Sequence, residues 1–498
     1  MAKAYSSTWS YAQTNPLPVN PGEDAPRPEL ADVGRLVRRA VRGVVGAARA
    51  EEQVTLSSLL RDHLGADSAD RAVVQEVWPQ YEHINVQAGV DAWLRDSPVT
   101  HELVGVIGFQ HHEFGLAELL AGHTSYGMRP GNVARINLAC GPDGQVRACV
   151  RCGLYLITAG ERRAAALLRG GEPHMPLTVH VVSSDDAFAL RIAAEIRELA
   201  VVHNVFRKQV LSFGGEVFGH GETLLHFHRR PVMDIDQLIL PAATLTAVQH
   251  QVVEVARHKQ RLLAAGQHLK RGLLLYGPPG VGKTHTVRYL IGSLTETTVI
   301  QLTGGALHLI AQACSVARTL APAMLVVEDV DLIAEDRGMH PGHHPMLFQL
   351  LNEMDGLAED SDVVFVLTTN RADLLEPALA ARPGRVDRAV ELTLPDSEAR
   401  RRLFDLYRGG LDVDISRLDR VLERTEGVTA SFLKELVRRA ALLAAARDGA
   451  DGEDRPLSVS AADLDAALDE LLDTRNAMTR VLLGAGRNAS PTERIGLG

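Results

Sequence analysis

The stretch GPPGVGKT, residues 277–284, decides the fold of this chain. It follows the strand-like LLLY and precedes the helical pattern THTVRYLIGSL, and a phosphate-binding loop requires this strand–loop–helix context. Its glycines let backbone N–H groups turn inward around phosphates, and the N-terminus of the following helix adds positive potential. We therefore predict a site for ATP with Mg²⁺. The predicted nucleotide-binding residues are Gly277, Pro278, Pro279, Gly280, Val281, Gly282, Lys283, Thr284 and His285.

Within this loop, Lys283 is expected to reach the β- and γ-phosphates, and the Thr284 hydroxyl is expected to ligate Mg²⁺. A second stretch, LVVEDVDLI at 325–333, is typical of the acidic strand end that completes such a site. Its acids, Glu328 and Asp329, come in the reverse of the usual hhhhDE order. We expect Glu328 to join Thr284 at the metal and Asp329 to polarise the attacking water.

The reversed order leaves two interpretations of the site open. Each acid's reach changes by about one methylene, roughly 1.5 Å. A misplacement of about 1 Å can slow a reaction about a hundredfold. Both carboxylates needed for hydrolysis are nevertheless present. The chain is therefore either an ATP hydrolase or a nucleotide-gated scaffold that binds ATP and turns it over negligibly.

The bulk composition indicates a globular protein of several domains. A chain of 498 residues is too long for one core, and its 46% apolar and 23% charged residues are ordinary for soluble proteins. No apolar run approaches the roughly 20 residues that span a bilayer, and the N-terminus lacks a secretory apolar core. We expect a cytoplasmic protein without a membrane span.

The net charge of −10 and the lack of a recognised DNA-binding motif speak against a nucleic-acid partner. The arginine-rich helical pattern at 31–50 keeps that partner open. A packed surface helix with its arginines in water is the favoured interpretation of this pattern.

Alternation of strand and helix patterns divides the chain into five segments. Continuous apolar runs from 236 onward predict a parallel α/β sheet covered by helices, and the patterns from 395 onward are helical. The upstream segment mixes strand and helix patterns and contains no catalytic constellation. The predicted segments are a disordered tail (1–30), an α+β partner-recognition region (31–235), an α/β nucleotide domain (236–394), an α-helical lid (395–475) and a C-terminal tail (476–498).

Cys149 and Cys152 have the C-x2-C spacing of a metal site, but no second pair completes it. The surrounding QVRACVRCGLYLIT alternates like a strand, so the two side chains are expected on opposite faces. We interpret both as structural thiols. The histidine-containing strings HHEFG (111–115) and MHPGHHP (339–345) do not match H-E-x-x-H.

Across roughly 236–475, the sequence resembles the AAA branch of the AAA+ ATPases, of bacterial type. The resemblance is carried by GPPGVGKT, VVEDVD, LTTNRADLLEPAL, ARPGRVDR and TEGVTASFLKELVRRAAL. The Glu-Asp order also resembles the branch of mitochondrial respiratory-complex assembly ATPases, which favours an active site. The resemblance implies a P-loop NTPase fold, ATP hydrolysis and a ring of six copies.

The resemblance also implies roles for residues outside the loop. Asn370, at the end of VVFVLTTN, matches the sensor residue that holds the water and the γ-phosphate. Arg382 and Arg385 match arginine fingers that reach a neighbouring subunit's γ-phosphate. The segment at 303–322 is short and has no aromatic residue, so its Leu307, His308 and Leu309 are either a pore-facing tip or buried helix residues.

From these patterns we expect an ATPase that couples turnover to the remodelling of a protein bound by residues 31–235. The nucleotide-gated scaffold is the alternative. A nucleic-acid motor and an enzymatic N-terminal domain are weaker hypotheses, because no sequence motif supports them.

Overall fold

The computed structural model describes residues 55–473, except 66, 69–70, 111–113, 123–127, 171–174, 216–222, 333–344, 357, 359, 376–385 and 449–456. The predicted tails and the helix at 31–50 lie outside the described residues. Arg382 and Arg385 lie outside them as well. In the described ranges, no helix combines the length and the apolar character needed to cross a membrane.

The N-terminal half is built on an antiparallel sheet. Its strands are β1 (Val74–Trp78), β2 (Thr100–Ile107), β3 (Arg129–Gly131), β4 (Ala134–Ala139), β5 (Val146–Ala159), β6 (Arg162–Arg169) and β7 (Leu177–Ser183). They run in the order β1-β7-β6-β5-β2-β3, with β4 also paired to β5. Its helices are α1 (Leu56–Leu64), α2 (His83–Asp96), α3 (Leu116–Leu120) and α4 (Asp186–Val202), with a 3-10 turn at Gln80–Glu82.

Both faces of this first sheet are covered by apolar cores. Helices α2 and α4 pack on one face, and α1 and α3 pack on the other. Cys149 and Cys152 on β5 fall in different cores and are free, buried thiols. The pairing of β4 with β5 shifts register between Val150 and Cys152, so that opposite faces for the two thiols stay a prediction.

The second sheet contains the strand that leads into the phosphate loop. Its strands are β8 (Val210–Gly215), β9 (Thr223–His228), β10 (Arg271–Tyr276), β11 (Thr298–Leu302), β12 (Ala323–Val327), β13 (Val363–Thr369) and β14 (Arg388–Glu391). The order is β14-β10-β13-β12-β11-β8-β9, parallel throughout except for the β8–β9 pair. Strands β12 and β13 are buried along their whole length, as a sheet covered on both faces requires.

Helices cover both faces of the second sheet. They are α5 (Ala242–Gln249), α6 (Val255–Ala264), α7 (Lys283–Ser293), α8 (Ile310–Thr319) and α9 (Pro345–Asp355). A π-helical turn at His250–Glu254 joins α5 to α6, and 3-10 turns lie at Ile235–Gln237 and Gly304–Leu309. Helices α5 and α7 pack on one face, and α8 and α9 pack on the other.

The C-terminal described residues form a helical unit with its own core. Its helices are α10 (Ser397–Arg408), α11 (Leu418–Arg424), α12 (Ala430–Asp448) and α13 (Ala461–Leu472), with the short strands β15 (Asp412–Val413) and β16 (Ser458–Val459). Asp396 begins α10 by accepting a hydrogen bond from the Ala399 N–H, and Ser460 begins α13 in the same way from Asp463.

The predicted border at 235/236 does not coincide with the edge of the second sheet. Strand β8 pairs in parallel with β11, at Val210↔Val299, and β9 follows as the edge strand. The string HFHRRP (226–231) begins inside β9. A strand pattern in sequence does not identify the strand's partner, so residues 210–228 were included in the upstream α+β region.

The first sheet's half packs directly against β8. The rings of Tyr81 and Phe213 meet edge to face, with 5.9 Å between their centroids. Asn85 Oδ1 accepts a hydrogen bond from Val205 N at 2.8 Å. Ile84 shares the core that also contains Phe213 and covers the second sheet. These contacts couple the two halves through apolar packing as well as through the chain itself.

Arg230 fastens the segment after β9 to the end of the phosphate-loop helix. Its guanidinium donates to the carbonyls of Ile291 (2.6 Å), Leu294 (3.0 Å), Thr297 (2.8 Å) and Lys208 (3.0 Å). All four acceptors are backbone oxygens, which the forked guanidinium suits. Burial lowers the pKa of Arg230, and the charge of Glu296 opposes this shift.

Candidate nucleotide site

The predicted phosphate loop lies at the carboxyl end of the second sheet. It connects β10 to α7, and the neighbouring strand ends carry the predicted acids and the predicted amide. In register, Tyr276 of β10 lies beside Thr369 of β13, and Val327 of β12 lies beside Leu367. Residues that follow these strands therefore meet at one edge, where ligands bind in open α/β sheets.

Two glycines of the loop allow close approach by the backbone at Leu392 and by side chains of the C-terminal helical unit. Gly277 has a φ of +145°, and a Cβ there would lie 2.2 Å from Leu392 O. Gly280 has a φ of +81°, and a Cβ there would lie 2.9 Å from Thr429 Oγ1. Side chains are excluded at both positions by backbone conformation and by space.

Lys283 is buried at the first position of α7, with 8% of its surface exposed. Its Nζ donates to Gly277 O at 2.8 Å and to Pro278 O at 2.9 Å, so the loop wraps around the ammonium group. Burial lowers the pKa of Lys283, while the charges of Asp329 and Asp331 act in the opposite direction. The ammonium thus faces two carboxylates across the mouth of the loop.

Glu328 and Thr284 place a carboxylate and a hydroxyl side by side. Thr284 Oγ1 lies 3.4 Å from Glu328 Oε2. Burial raises the pKa of Glu328 and the charge of Asp329 raises it further, whereas Thr284 and Arg288 lower it. Carboxylate and hydroxyl oxygens are the ligands that Mg²⁺ prefers, so this pair fits the predicted metal position.

Asp329 has a left-handed backbone, with a φ of +52°. Its N–H donates to Thr368 Oγ1 at 3.1 Å, and its Oδ1 accepts from Asn370 Nδ2 at 3.2 Å. Aspartate tolerates this conformation better than glutamate, because its short polar side chain bonds locally. The backbone therefore accounts for a short acid at the second position.

Asp331 is buried and holds the end of β13. Its Oδ1 accepts from Thr369 Oγ1 at 2.8 Å and from Asn370 N at 3.2 Å. Thr369 Oγ1 in turn accepts from Arg371 N at 2.9 Å. The third acid of VVEDVD therefore fixes the backbone that carries Asn370. The sequence indicated Asp331 only as structural or as a subunit contact.

The C-terminal helical unit touches the phosphate loop. Ser431 N donates to Gly280 O at 3.2 Å, and Ser431 Oγ lies 3.4 Å from the same oxygen. Both contacts come from the segment GVTASFL at 427–433. Sequence analysis quoted this segment as part of the family resemblance and did not identify Ser431.

A cavity of about 270 Å³ lies beside α7, between it and the helical unit. Its lining residues are Pro231, Val232, Met233, Gln237, His285, Arg288, Leu406, Tyr407 and Lys434. Of these, sequence analysis identified only His285. Burial lowers the pKa of His285, and the neighbouring charges of Arg288 and Lys434 lower it further. The other residues come from four separated segments and form no motif, so no sequence signal identifies them.

The segment after β11 has no exposed apolar tip. Leu307 and Leu309 are buried, with 3% and 6% of their surfaces exposed, in the 3-10 turn Gly304–Leu309. His308 is exposed, and its Nδ1 bonds to Gly305 O at 2.7 Å. The interpretation of both leucines as buried helix residues is confirmed, and a pore-facing role for them is wrong.

Comparison with known proteins agrees with this geometry. Residues 273–394 match the family model "ATPase family associated with various cellular activities (AAA)". The ATP-dependent zinc metalloprotease FtsH 2 of Sphaerobacter thermophilus is 31% identical over 389 residues, which are 73% of this chain and 56% of that protein. FtsH 3 of Symbiobacterium thermophilum is 31% identical over 237 residues, or 45% and 36% of the two chains. FtsH 3 of Synechocystis sp. is 28% identical over 321 residues, or 60% and 50%.

The chain thus spans about half or less of the length of these relatives. The matches support an AAA+ P-loop ATPase with ATP hydrolase activity, as predicted for this part of the chain. The relatives are named for a zinc site. Within the described ranges, no three His, Cys, Asp or Glu side chains group as a metal site would require.

Proposed function

We propose that this protein hydrolyses ATP at the carboxyl edge of its second sheet and uses the turnover to remodel a protein partner. One observation carries the proposal: Lys283, the Thr284–Glu328 pair and the Asp329–Asn370 pair meet around one phosphate loop. These groups come from the start of α7 and from the ends of β12 and β13, and each matches a distinct need of phosphoryl transfer.

Lys283 is proposed to bind the β- and γ-phosphates. Its Nζ now bonds to two loop carbonyls, at Gly277 and Pro278, and phosphate oxygens would replace them. The loop's N–H groups and the start of α7 add further positive potential. The Thr284–Glu328 pair would hold Mg²⁺, which would supply positive charge against the negative charge that develops on the phosphate during transfer.

Asp329 is proposed to orient the attacking water and accept its proton. Its carboxylate is exposed and held at Oδ1 by the Asn370 amide. The second oxygen is therefore the one directed at the water. Asp331 would act through Asn370 by fixing that residue's backbone N–H. The reversed acid order in this account reflects the left-handed backbone at Asp329.

The cavity beside α7 is proposed to take the adenine base. Tyr407 supplies a ring from α10 and His285 supplies one from α7, and both lie on the cavity wall. Aromatic rings stack on the flat face of any nucleobase, including adenine. The helical unit, proposed as a lid, touches the phosphate loop at Gly280, so its rotation would report the nucleotide state.

Ring assembly and partner choice form the remaining part of the proposal. Arg382 and Arg385 are proposed fingers for a neighbouring copy in a homo-hexamer, and residues 31–235 are proposed to bind the remodelled protein. The relatives' names include proteolysis, which we do not extend to this chain because its 498 residues contain no H-E-x-x-H motif. The second candidate function is the scaffold that binds ATP without turnover, which the changed reach of the two reversed acids motivates.

The deciding experiment is steady-state ATP hydrolysis with Mg²⁺ across protein concentrations, with Asp329→Asn as the matched variant. Asparagine tolerates the left-handed backbone but accepts no proton, so turnover should fall about 10²–10⁴-fold while ATP binding persists. Specific activity that rises with concentration supports a shared site between copies. Tight ATP binding without turnover in the parent protein favours the scaffold.

A further inference from the structure

Polar side chains gather on one face of the first sheet, at its β1 edge. Gln75 of β1 lies directly opposite His180 of β7, and Thr178 of β7 lies opposite Arg169 of β6. Directly opposed residues project from the same face, and residues two apart on one strand do so too. These four side chains therefore form one contiguous polar patch across three neighbouring strands.

This patch lines a cavity of about 460 Å³ beneath the start of α3. Phe114, Glu118 and Met175 complete much of its wall. Its volume falls within the range of about 300–1,000 Å³ typical of small-molecule sites. The rest of this face is the apolar core beneath α1 and α3. A polar cavity inside an apolar face is the feature that requires an explanation.

The polar groups of the patch are deeply buried. Arg169 is 5% exposed, and Thr178 and His180 are each 8% exposed. Placing such groups in a core is costly unless they meet polar partners. A cavity of this size lined by fixed polar groups has the form of a small-molecule site.

The Arg169 guanidinium is held in one orientation. Its Nη1 donates to Phe114 O at 3.1 Å, and its Nη2 lies 2.6 Å from Met175 Sδ. The group also lies over the Phe114 ring, 4.6 Å from its centroid. A fixed planar cation binds anions well, because little side-chain freedom is lost on binding.

His180 is fixed on the opposite side of the cavity. Its Nδ1 accepts from Leu116 N at 3.5 Å, and a Cβ at Gly115 would come within 2.6 Å of its Cε1. Burial lowers the pKa of His180, with Glu118 opposing and Arg169 assisting the shift. The imidazole is therefore neutral near pH 7 and offers a hydrogen bond rather than a second charge.

The charge on the wall limits the ligand's chemistry. Among the described lining residues, Arg169 is the one basic side chain with a full charge, and Glu118 is acidic. Glu118 repels a doubly charged phosphate more strongly than a singly charged carboxylate, and a carboxylate also matches the guanidinium fork. Val73, Phe114 and Met175 offer apolar surface to the rest of the ligand.

We propose that this cavity binds a carboxylate, directed at Arg169 and followed by a short apolar group. The carboxylate belongs either to a small free acid or to the C-terminus of a polypeptide. The cavity lies on the first sheet, apart from the nucleotide site on the second, so this inference does not depend on the proposed ATPase mechanism.

The test is calorimetric titration of the full chain with paired probes. Hexanoate is compared with hexanamide, and the peptide Ala-Ala-Leu is compared with its C-terminal amide. We expect at least one carboxylate to bind about tenfold or more tightly than its amide, since charge-assisted hydrogen bonds are the stronger ones. Preference for hexanoate identifies a free acid, and preference confined to the peptide identifies a polypeptide end. Equal binding of both members of each pair, or no binding, overturns the proposal.

Variants then locate the binding. Arg169→Gln removes the charge from the cavity and should abolish the preference for carboxylate. Arg163→Gln is the matched control, because Arg163 lies on the same strand but is exposed and bonds to Thr158 Oγ1. Thr178→Val keeps the side-chain shape and should weaken binding with little effect on folding. An undiminished preference in a folded Arg169→Gln protein overturns the assignment.

Discussion

The two sheets of this protein place their polar groups differently. In the second sheet, β12 and β13 are buried from end to end, and Glu328 and Asn370 follow directly after them. In the first sheet, Arg169, Thr178 and His180 lie inside the strands themselves, on a face that also forms a core.

This difference decides what a sequence can reveal. A site at parallel strand ends is built from short contiguous stretches, because each loop contributes neighbouring residues. A site on a sheet face takes every second residue from several strands, so its members are scattered and separated by core residues. The second sheet's site is therefore visible as a motif, and the first sheet's cavity is not.

The largest expected effect is that of Lys283→Ala in the second sheet. It removes the cation that the loop encloses, so ATP binding should be lost and turnover should fall by at least about 10³-fold. Equilibrium binding of a fluorescent ATP analogue measures this, with Lys208→Ala as the exposed-lysine comparison, because Lys208 pairs with Glu296 away from the phosphate loop. Unchanged affinity in Lys283→Ala would contradict its role and weaken the contrast between the sheets.

Asp329→Glu restores the longer acid of the usual order and tests whether the backbone dictates the swap. The left-handed φ of +52° disfavours glutamate, and the added methylene moves the carboxylate. We expect turnover to fall by about 100-fold, as for a displacement of about 1 Å. Steady-state hydrolysis measures it, and equal or faster turnover in the variant would show that the acid order is not set by this conformation.

Asp331→Ala tests the support beneath Asn370. The change leaves the Thr369 hydroxyl and the Asn370 N–H without the acceptor they share. We expect turnover to fall about tenfold and unfolding free energy to fall by about 1–3 kcal/mol. Asp331→Asn, which keeps one acceptor oxygen, should recover part of both. A loss of stability with unchanged turnover would mean that Asn370 needs no such support.

The smallest effect concerns His83, a buried polar group in the first sheet's half. It is 1% exposed, and its Nε2 donates to Val150 O at 2.8 Å. Burial lowers its pKa from 6.5, with the Val150 carbonyl opposing this shift and Arg151 assisting it. The unfolded chain therefore binds the proton more readily, and stability decreases as pH falls below about 6.5.

His83→Gln should flatten this pH dependence by up to about 1.4 kcal/mol per pH unit relative to the parent. Denaturant unfolding between pH 7 and pH 5, followed by tryptophan fluorescence, measures it, because Trp78 and Trp93 both lie in this half. The control is His203→Gln, at an exposed position. Parallel pH profiles for parent and variant would exclude a buried neutral His83.

The sequence predicted the elements that depend on local patterns. The phosphate loop, the strand before it and the helix after it were identified because the glycines and apolar residues that form them are neighbours in sequence. The pairing partners of the strands were not identified, so residues 210–228, which form β8 and β9 of the second sheet, were included in the upstream α+β region. The left-handed backbone of Asp329 was not predicted. Apart from the reversed order of the two acids, no residue in this stretch indicates a positive φ.

The candidate site was predicted in part for the same reason. Its phosphate side is one stretch of chain, whereas the cavity beside α7 combines the segment after β9 with α7, α10 and α12. Tertiary packing alone brings Tyr407 and Lys434 to His285. For Leu307 and Leu309, the sequence left open both a pore-facing tip and a buried helix, because both positions can be apolar. Their burial was visible only in the structure.

Arg230 makes all four of its bonds to backbone oxygens. Mutation at Ile291, Leu294 or Thr297 changes a side chain but leaves the accepting carbonyl in place. In a family alignment, position 230 would therefore be expected to stay arginine while its partners drift without correlated change. Coevolution methods, which detect contacts from paired substitutions, would therefore miss these hydrogen bonds, although they fasten the segment after β9 to the helix that begins with Lys283.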